Sequence, residues 1–150
     1  MLKYTKILCA FEFDGNSIAA LSLASSLASE SDATLYVLHI ARVPTHDMDV
    51  PLPIDEHPRW EKEARDKLEK IVHDTVKPKV KRVIDVRTGV PNVDIVRTAR
   101  ELNVDLIVMA THGRTGLAHF FMGSTTEHVI RETGCPVLVL RPEFPTSALV

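Results

Sequence analysis

Nothing in this sequence approaches the run of about 20 apolar residues that a bilayer-spanning helix needs. The N-terminal Met1-Leu2-Lys3-Tyr4-Thr5-Lys6 leads into only a short apolar segment, with no signal-peptide core. A soluble, cytoplasmic protein without membrane association is therefore expected. An excess of one charge is lacking too: the formal net charge is -2, the pI is near 6.4, and no block of like charges stands out. That disfavours nucleic acid as a partner. Cysteine is limited to Cys9 and Cys135, which have neither C-x-x-C nor histidine-linked spacing. A zinc site of the common patterns is excluded, and two reduced, packed thiols are the expectation. Two nucleotide signatures are absent as well: no G-x-G-x-x-G follows the first apolar run, and no G-x-x-x-x-G-K-[ST] occurs anywhere.

What is present is a regular alternation of short apolar runs and helical stripes. With 150 residues, 45% of them hydrophobic and 25% charged, the chain suits one domain, 1–150, with a sizeable core. Ile7-Leu8-Cys9-Ala10-Phe11 reads as a first strand, closed by the polar group Asp14-Gly15-Asn16-Ser17. From Ser17 onward, Ala20, Leu23, Ala24, Leu27 and Ala28 repeat at helical spacing, with serines expected on the other side. Leu35-Tyr36-Val37-Leu38-His39-Ile40 is a second strand. The proline- and aspartate-rich stretch 43–58 after it is the longest irregular piece, expected to be mobile or lid-like.

Trp60, Ala64, Leu68, Ile71, Val72 and Val76 mark a long amphipathic helix that ends before Pro78. Residues 80–86 alternate loosely and predict a less buried strand near a sheet edge. Pro91 then suits the first turn of a helix whose apolar stripe is Ile95, Val96, Ala99 and Leu102. Residues 106–110 form a buried strand, about 124–133 a helix stopped by Gly134, and 136–140 a fifth strand. The tail from Pro142 is expected to be loose. Strands alternating with helices imply an α/β fold, a single doubly wound domain with a five-stranded parallel sheet and helices on both faces. The pattern alone admits strand order 2-1-3-4-5 or 3-2-1-4-5.

The organising stretch is Met109-Ala110-Thr111-His112-Gly113-Arg114-Thr115-Gly116, continuing to Gly123-Ser124-Thr125-Thr126-Glu127. A buried strand runs into a glycine loop and then into an S-x-x-E capping box at a helix start. Helix-start N–H groups without intrahelical partners attract anions, and glycine lets a phosphate approach the backbone, so the leading reading is a nucleotide phosphate site. His112 and His119 have no zinc-ligand spacing and read as loop histidines, so no protein-built metal site is expected.

Gly113, nine intervening residues and Gly123-Ser124 resemble the nucleotide motif of the universal stress protein family, with Ala110 in the place of that motif's first glycine. Thr111-His112-Gly113-Arg114 and Cys135-Pro136-Val137-Leu138-Val139 add to the resemblance, which extends over nearly the whole chain. It implies strand order 3-2-1-4-5 and ATP as the ligand. Backbone N–H groups at Gly113, Gly123, Ser124 and Thr125 would hold the phosphates, beside Met109 and Ala110 at the strand end. Adenine and ribose would lie against Ala10, Phe11, Glu12 and Ile40. Glu12 takes the place of the aspartate usual in similar proteins, and Phe11 that of a smaller residue. Mg²⁺ would accompany the triphosphate, bound chiefly through phosphate oxygens and water. The resemblance further implies a homodimer through the edge strand Pro136-Val137-Leu138-Val139-Leu140.

Three functions compete at this level. One is an ATP-binding, stress-response regulatory protein with little or no hydrolysis, since no general base stands beside the phosphate loop apart from His112. The second is an ATP-using nucleotidyl transferase or pyrophosphatase of a related α/β class. Against it, Asp14-Gly15-Asn16-Ser17 only faintly matches S-G-G-x-D-S, and no H-x-G-H is present. The third is a dimeric scaffold with an empty nucleotide site.

Overall fold

The computed structural model describes residues 3–42, 57–111 and 122–141. They form β1 (Lys6–Ala10), α1 (Gly15–Ser31), β2 (Thr34–Arg42), α2 (His57–Thr75), β3 (Arg82–Gly89), α3 (Pro91–Leu102), β4 (Leu106–Ala110), α4 (Ser124–Glu132) and β5 (Val137–Leu140). All the strand pairs are parallel, in the order β3-β2-β1-β4-β5. The doubly wound α/β fold and its strand order are as expected. Most of the stretch anticipated as a lid, the glycine loop with Gly113, and the tail from Pro142 lie outside the described residues.

Each strand feeds both faces of the sheet because successive side chains point to opposite sides. On β1, Ile7 and Cys9 join the core beneath α1 and α2, whereas Leu8 and Ala10 join the core beneath α3 and α4. Near-continuous burial of Ile7, Leu8, Cys9 and Ala10 on β1, and of Leu106, Ile107, Val108 and Met109 on β4, marks the two strands at the centre of the sheet.

Three local expectations are corrected. Along α1 the buried side includes Ser17, Ala20, Leu21, Ala24, Ser25 and Ala28, while Leu23 and Leu27 are only partly buried. The serines thus do not all face solvent. Ser17 Oγ accepts from the Glu12 N–H at 3.0 Å and Ser25 Oγ from the Lys77 N–H at 2.9 Å, which satisfies amides that burial would otherwise leave costly. The third strand begins later and ends later than 80–86. Its pairing with β2 continues from Leu35↔Arg82 to Arg42↔Gly89, and Val80 instead packs into the core from the turn before it. At α4 the N-cap is Gly123, with Ser124 already helical, so Ser124 and Glu127 do not make a capping box. Glu127 instead pairs with Arg131 along the helix at 2.6 Å.

The start of the sheet is tied across its centre. Asp105, just before β4, accepts hydrogen bonds from the Thr5 N–H, from the Thr5 hydroxyl at 2.9 Å and from the Lys6 N–H at 2.9 Å. Lys6 Nζ donates to the Leu102 carbonyl at the end of α3. These contacts fix the register of β1 against β4 at the end of the sheet remote from the strand exits.

Candidate functional site

The strand order dictates where a ligand fits. From β1 the chain turns to α1 on one face of the sheet, and after β4 it reaches α4 on the other. The segments leaving two neighbouring strands therefore diverge, and a crevice opens at their carboxyl ends. Ala10 through Asp14 form one wall and Ala110 and Thr111 begin the other. Asn16 Nδ2 reaches the Thr111 carbonyl at 3.5 Å, and the Thr111 N–H donates to the Leu140 carbonyl at 2.9 Å, which links the walls to β5.

Ala10, Ile40 and Met109 are buried in the core under α3 and α4, forming the floor of the crevice on that face. Phe11 and Ala110 point to the opposite face, under α1 and α2. Phe11 is fully buried, so its ring is turned away from the Ala10, Ile40 and Met109 side. The side chains of the neighbours Ala10 and Phe11 thus enter opposite faces of the sheet. The Glu12 N–H is occupied by Ser17 Oγ.

Two helix N-termini border the crevice, and they differ. At α1 the N-cap Asp14 accepts from the Ser17 N–H at 2.6 Å, so the helix carries its own anion. At α4 the N-cap is Gly123, and no side chain among the described residues caps the first turn. Ser124 is exposed and Thr125 half-buried. Gly123 has φ -57° and ψ 152°, and no described heavy atom lies within 4 Å of where its Cβ would sit. A side chain at Gly123 would therefore not force the backbone out of its conformation. Gly123, Ser124 and Thr125 are thus brought together at one helix start, while Gly113 is not among the described residues.

A cluster that sequence reasoning missed stands behind the first wall. Phe13 has a positive φ of 58°, unusual for a residue with a bulky side chain. Its ring meets Phe11 edge-on with centroids 5.3 Å apart and His39 at 4.5 Å, and Lys67 Nζ lies over it at 4.6 Å. His39 Nδ1 is 2.8 Å from the Phe11 carbonyl oxygen. Because that oxygen can only accept, Nδ1 carries the proton. Burial pushes the imidazole below its ordinary pKa of 6.5, and Lys67 pushes the same way. The bond to Phe11 and the Glu12 charge oppose them without reversing the shift. The available signal was period two: Leu35, Val37 and His39 alternate onto one face, and the first two are core. The positive φ of Phe13 had no such signal.

Both thiols are free and packed, as expected, but they differ in burial. Cys9 is fully buried, and burial raises its pKa to about 12. Cys135 is half-buried, with its sulfur 3.3 Å from the Thr133 hydroxyl. No helix among the described residues is long and apolar enough to cross a membrane.

Comparison with known proteins matches this architecture. The universal stress protein MJ0531 of Methanocaldococcus jannaschii is 33% identical over 145 residues, covering 92% of this chain and 82% of the relative. The structure of the universal stress protein UspA from Lactobacillus plantarum superposes with a TM-score of 0.74 at 24% identity, covering 94% of this chain and all of that one. A universal stress protein solved in complex with cAMP superposes at 0.64 and 20% identity, covering 93% of this chain and 98% of that one. The sequence model described as the universal stress protein family matches residues 3–141, and the chain belongs to that family.

Proposed function

We propose that the protein binds ATP in the crevice between β1 and β4 and acts as a stress-response regulator that reports nucleotide occupancy, with little or no hydrolysis. The observation that carries this reading is the contrast between the helix starts. Asp14 neutralises α1, whereas α4 presents its first-turn amides behind an unencumbered glycine at the switch point of the sheet. Amides at Gly123, Ser124 and Thr125, with Gly113 from the preceding loop, hold the phosphates. The base and ribose rest near Ala10, Glu12, Ile40 and Met109, with Ala110 at the strand exit. The cAMP complex of a relative with the same fold supports an adenine nucleotide, since cAMP shares the base, the ribose and a phosphate.

Among the described residues, no cluster of three or more His, Cys, Asp or Glu side chains is arranged to hold a metal. Mg²⁺ therefore enters with the triphosphate, held by phosphate oxygens and water. Backbone amide donors would hold the phosphate oxygens and leave the ion to phosphate and water. The protein is a homodimer through the β5 edge and works in the cytoplasm.

The test is mass spectrometry of gently purified, undialysed protein, followed by calorimetric titration with ATP, ADP, AMP and cAMP in the presence of Mg²⁺. Saturable ATP binding with turnover slower than about one per minute is expected, a rate below ordinary enzymes. Absence of binding by any of the four nucleotides sinks the reading, and pyrophosphate release would move the protein to the nucleotidyl transferase class.

A further inference from the structure

We propose that His39 is a protonation-controlled positioning residue: neutral, it holds the β1-side wall of the crevice in its ligand-ready form, and protonated, it releases that wall and weakens the ligand. The proposal rests on the nucleotide reading for its ligand, but the movement of the wall belongs to the protein alone.

The wall is braced from two sides. On the α1 side, Ser17 Oγ accepts from the Glu12 N–H and Asp14 accepts from the Ser17 N–H. On the β2 side, His39 donates from Nδ1 to the Phe11 carbonyl and packs its ring on Phe13. Between them Phe13 is held at a φ of 58°, a conformation that a non-glycine residue keeps only when its surroundings over-determine it. Those surroundings are Phe11, His39 and the Lys67 ammonium.

Adding a proton changes this balance. Burial and, to a lesser extent, Lys67 from α2 oppose an imidazolium, while the Phe11 carbonyl and Glu12, on the β1–α1 segment, favour it. On the neighbouring strand, His39 is paired with the uncharged Val86. Loss of hydration outweighs both the Phe11 bond and the attraction of Glu12, so the folded protein resists protonation. An imidazolium formed here is a second cation beside a ring that already carries Lys67, and it gains by turning toward water. Phe13 then loses its edge-on neighbour, and the wall that includes Glu12 relaxes.

The pH sense follows from the lowered pKa. The unfolded chain takes up the His39 proton more readily, so the stabilisation from neutral His39 is complete above 6.5 and is lost as the pH falls from there through the lower folded value. Nucleotide affinity follows the same sense, because the released wall must be reordered on binding.

Two readouts test this. In the ligand-free protein, the amide resonances of Glu12, Phe13 and Ser17 are followed by NMR with pH alongside the His39 ring. They are expected to move with the His39 midpoint, and Lys67→Met is expected to shift that midpoint upward by removing the opposing cation. By calorimetry, ATP affinity is expected to fall about five-fold or more between about pH 7.5 and about pH 5.5. In His39→Asn, which keeps an N–H donor but cannot charge, the ratio between the two pH values should shrink to what ATP itself and the other histidines contribute. Amides that do not follow His39, a midpoint unmoved in Lys67→Met, or an unchanged affinity ratio in His39→Asn overturns the proposal. If the amides follow His39 but no ATP binds at either pH, the switch stands and the nucleotide reading fails.

Discussion

At φ -57° and ψ 152°, Gly123 occupies backbone space open to any L-residue, and no described atom crowds its missing Cβ. At the proposed phosphate site its smallness would serve approach from outside. Gly123→Val should leave the melting temperature of the free protein near that of wild type while weakening ATP binding about tenfold or more, read by calorimetry. Ser124 separates stability from binding still more cleanly. As an N1 residue and not an N-cap, its replacement by alanine removes no cap, so Ser124→Ala should cost well under the about 1 kcal/mol typical of a lost cap. A fall in ATP affinity without a fall in melting temperature identifies it as a phosphate ligand. Equal affinity removes it from the site. Thr98 is the opposite case, a residue whose polar atom does nothing for the fold. Its hydroxyl is completely buried on α3 and has no hydrogen-bond partner among the described residues. Thr98→Val replaces it with a methyl of similar size and should stabilise the protein by about 1 kcal/mol, a rise of about 2–4 °C in melting temperature. An unchanged or lower value shows that the hydroxyl is satisfied in solution.

Elements are positioned by a few contacts far apart in sequence, and Asp105 is the clearest of them. Partial burial alone would raise its pKa. The amides of Thr5 and Lys6, the Thr5 hydroxyl and the charge of Lys6 more than compensate, and hold it below the ordinary 3.8. A lowered carboxyl contributes stability above the unfolded pKa and loses it as pH falls through the folded value. Asp105→Ala should therefore cost on the order of 1 kcal/mol at neutral pH, with the gap to wild type closing below about pH 4 in denaturant titrations. A pH-independent gap would assign the loss to packing. Nothing in the local sequence marks this clamp, because its partners lie about a hundred residues away. The elements themselves were legible where burial is one- or two-sided and periodic: β1 and β4 as continuous apolar runs, α3 by Pro91 and its stripe. The stripe on α1 was misread because small residues let the helix pack closely with serines inside. The capping box was misread because S-x-x-E fits two registers, and the structure uses Gly123 as the cap. At the candidate site, the strand exit at Ala110 and the helix start at Gly123 and Ser124 were readable from the sequence. The Phe13, His39 and Lys67 cluster was not, since a positive φ and a cross-strand contact are products of tertiary packing.

At the scale of the whole molecule, the two sheet edges differ in how they meet water. The outer strand β3 carries Arg82, Asp85 and Arg87, and Arg87 is engaged by both Asp85 and Glu101 at 2.9 and 2.8 Å. Charges of this kind blunt an edge against pairing. The opposite strand β5 reads Val-Leu-Val-Leu with no charge at all, and Leu138 on it is 37% exposed. Ile130 on the adjacent α4 and Met122 just before it are also exposed. An uncharged apolar edge with apolar neighbours is a liability for a monomer and a ready surface for a second copy. In the proposed dimer, a two-fold axis perpendicular to the sheet edge would bring the two β5 strands together antiparallel, so that one continuous sheet would span both protomers. Leu138→Lys would place a like charge on each side of that axis and should convert the proposed dimer to monomer in sedimentation velocity, while Val83→Lys on the charged edge should leave the oligomeric state unchanged. The core is not involved in either substitution, so far-ultraviolet circular dichroism should match wild type in both. A dimer that survives Leu138→Lys places the interface elsewhere, and a monomeric wild type shows that β5 stays uncovered in solution.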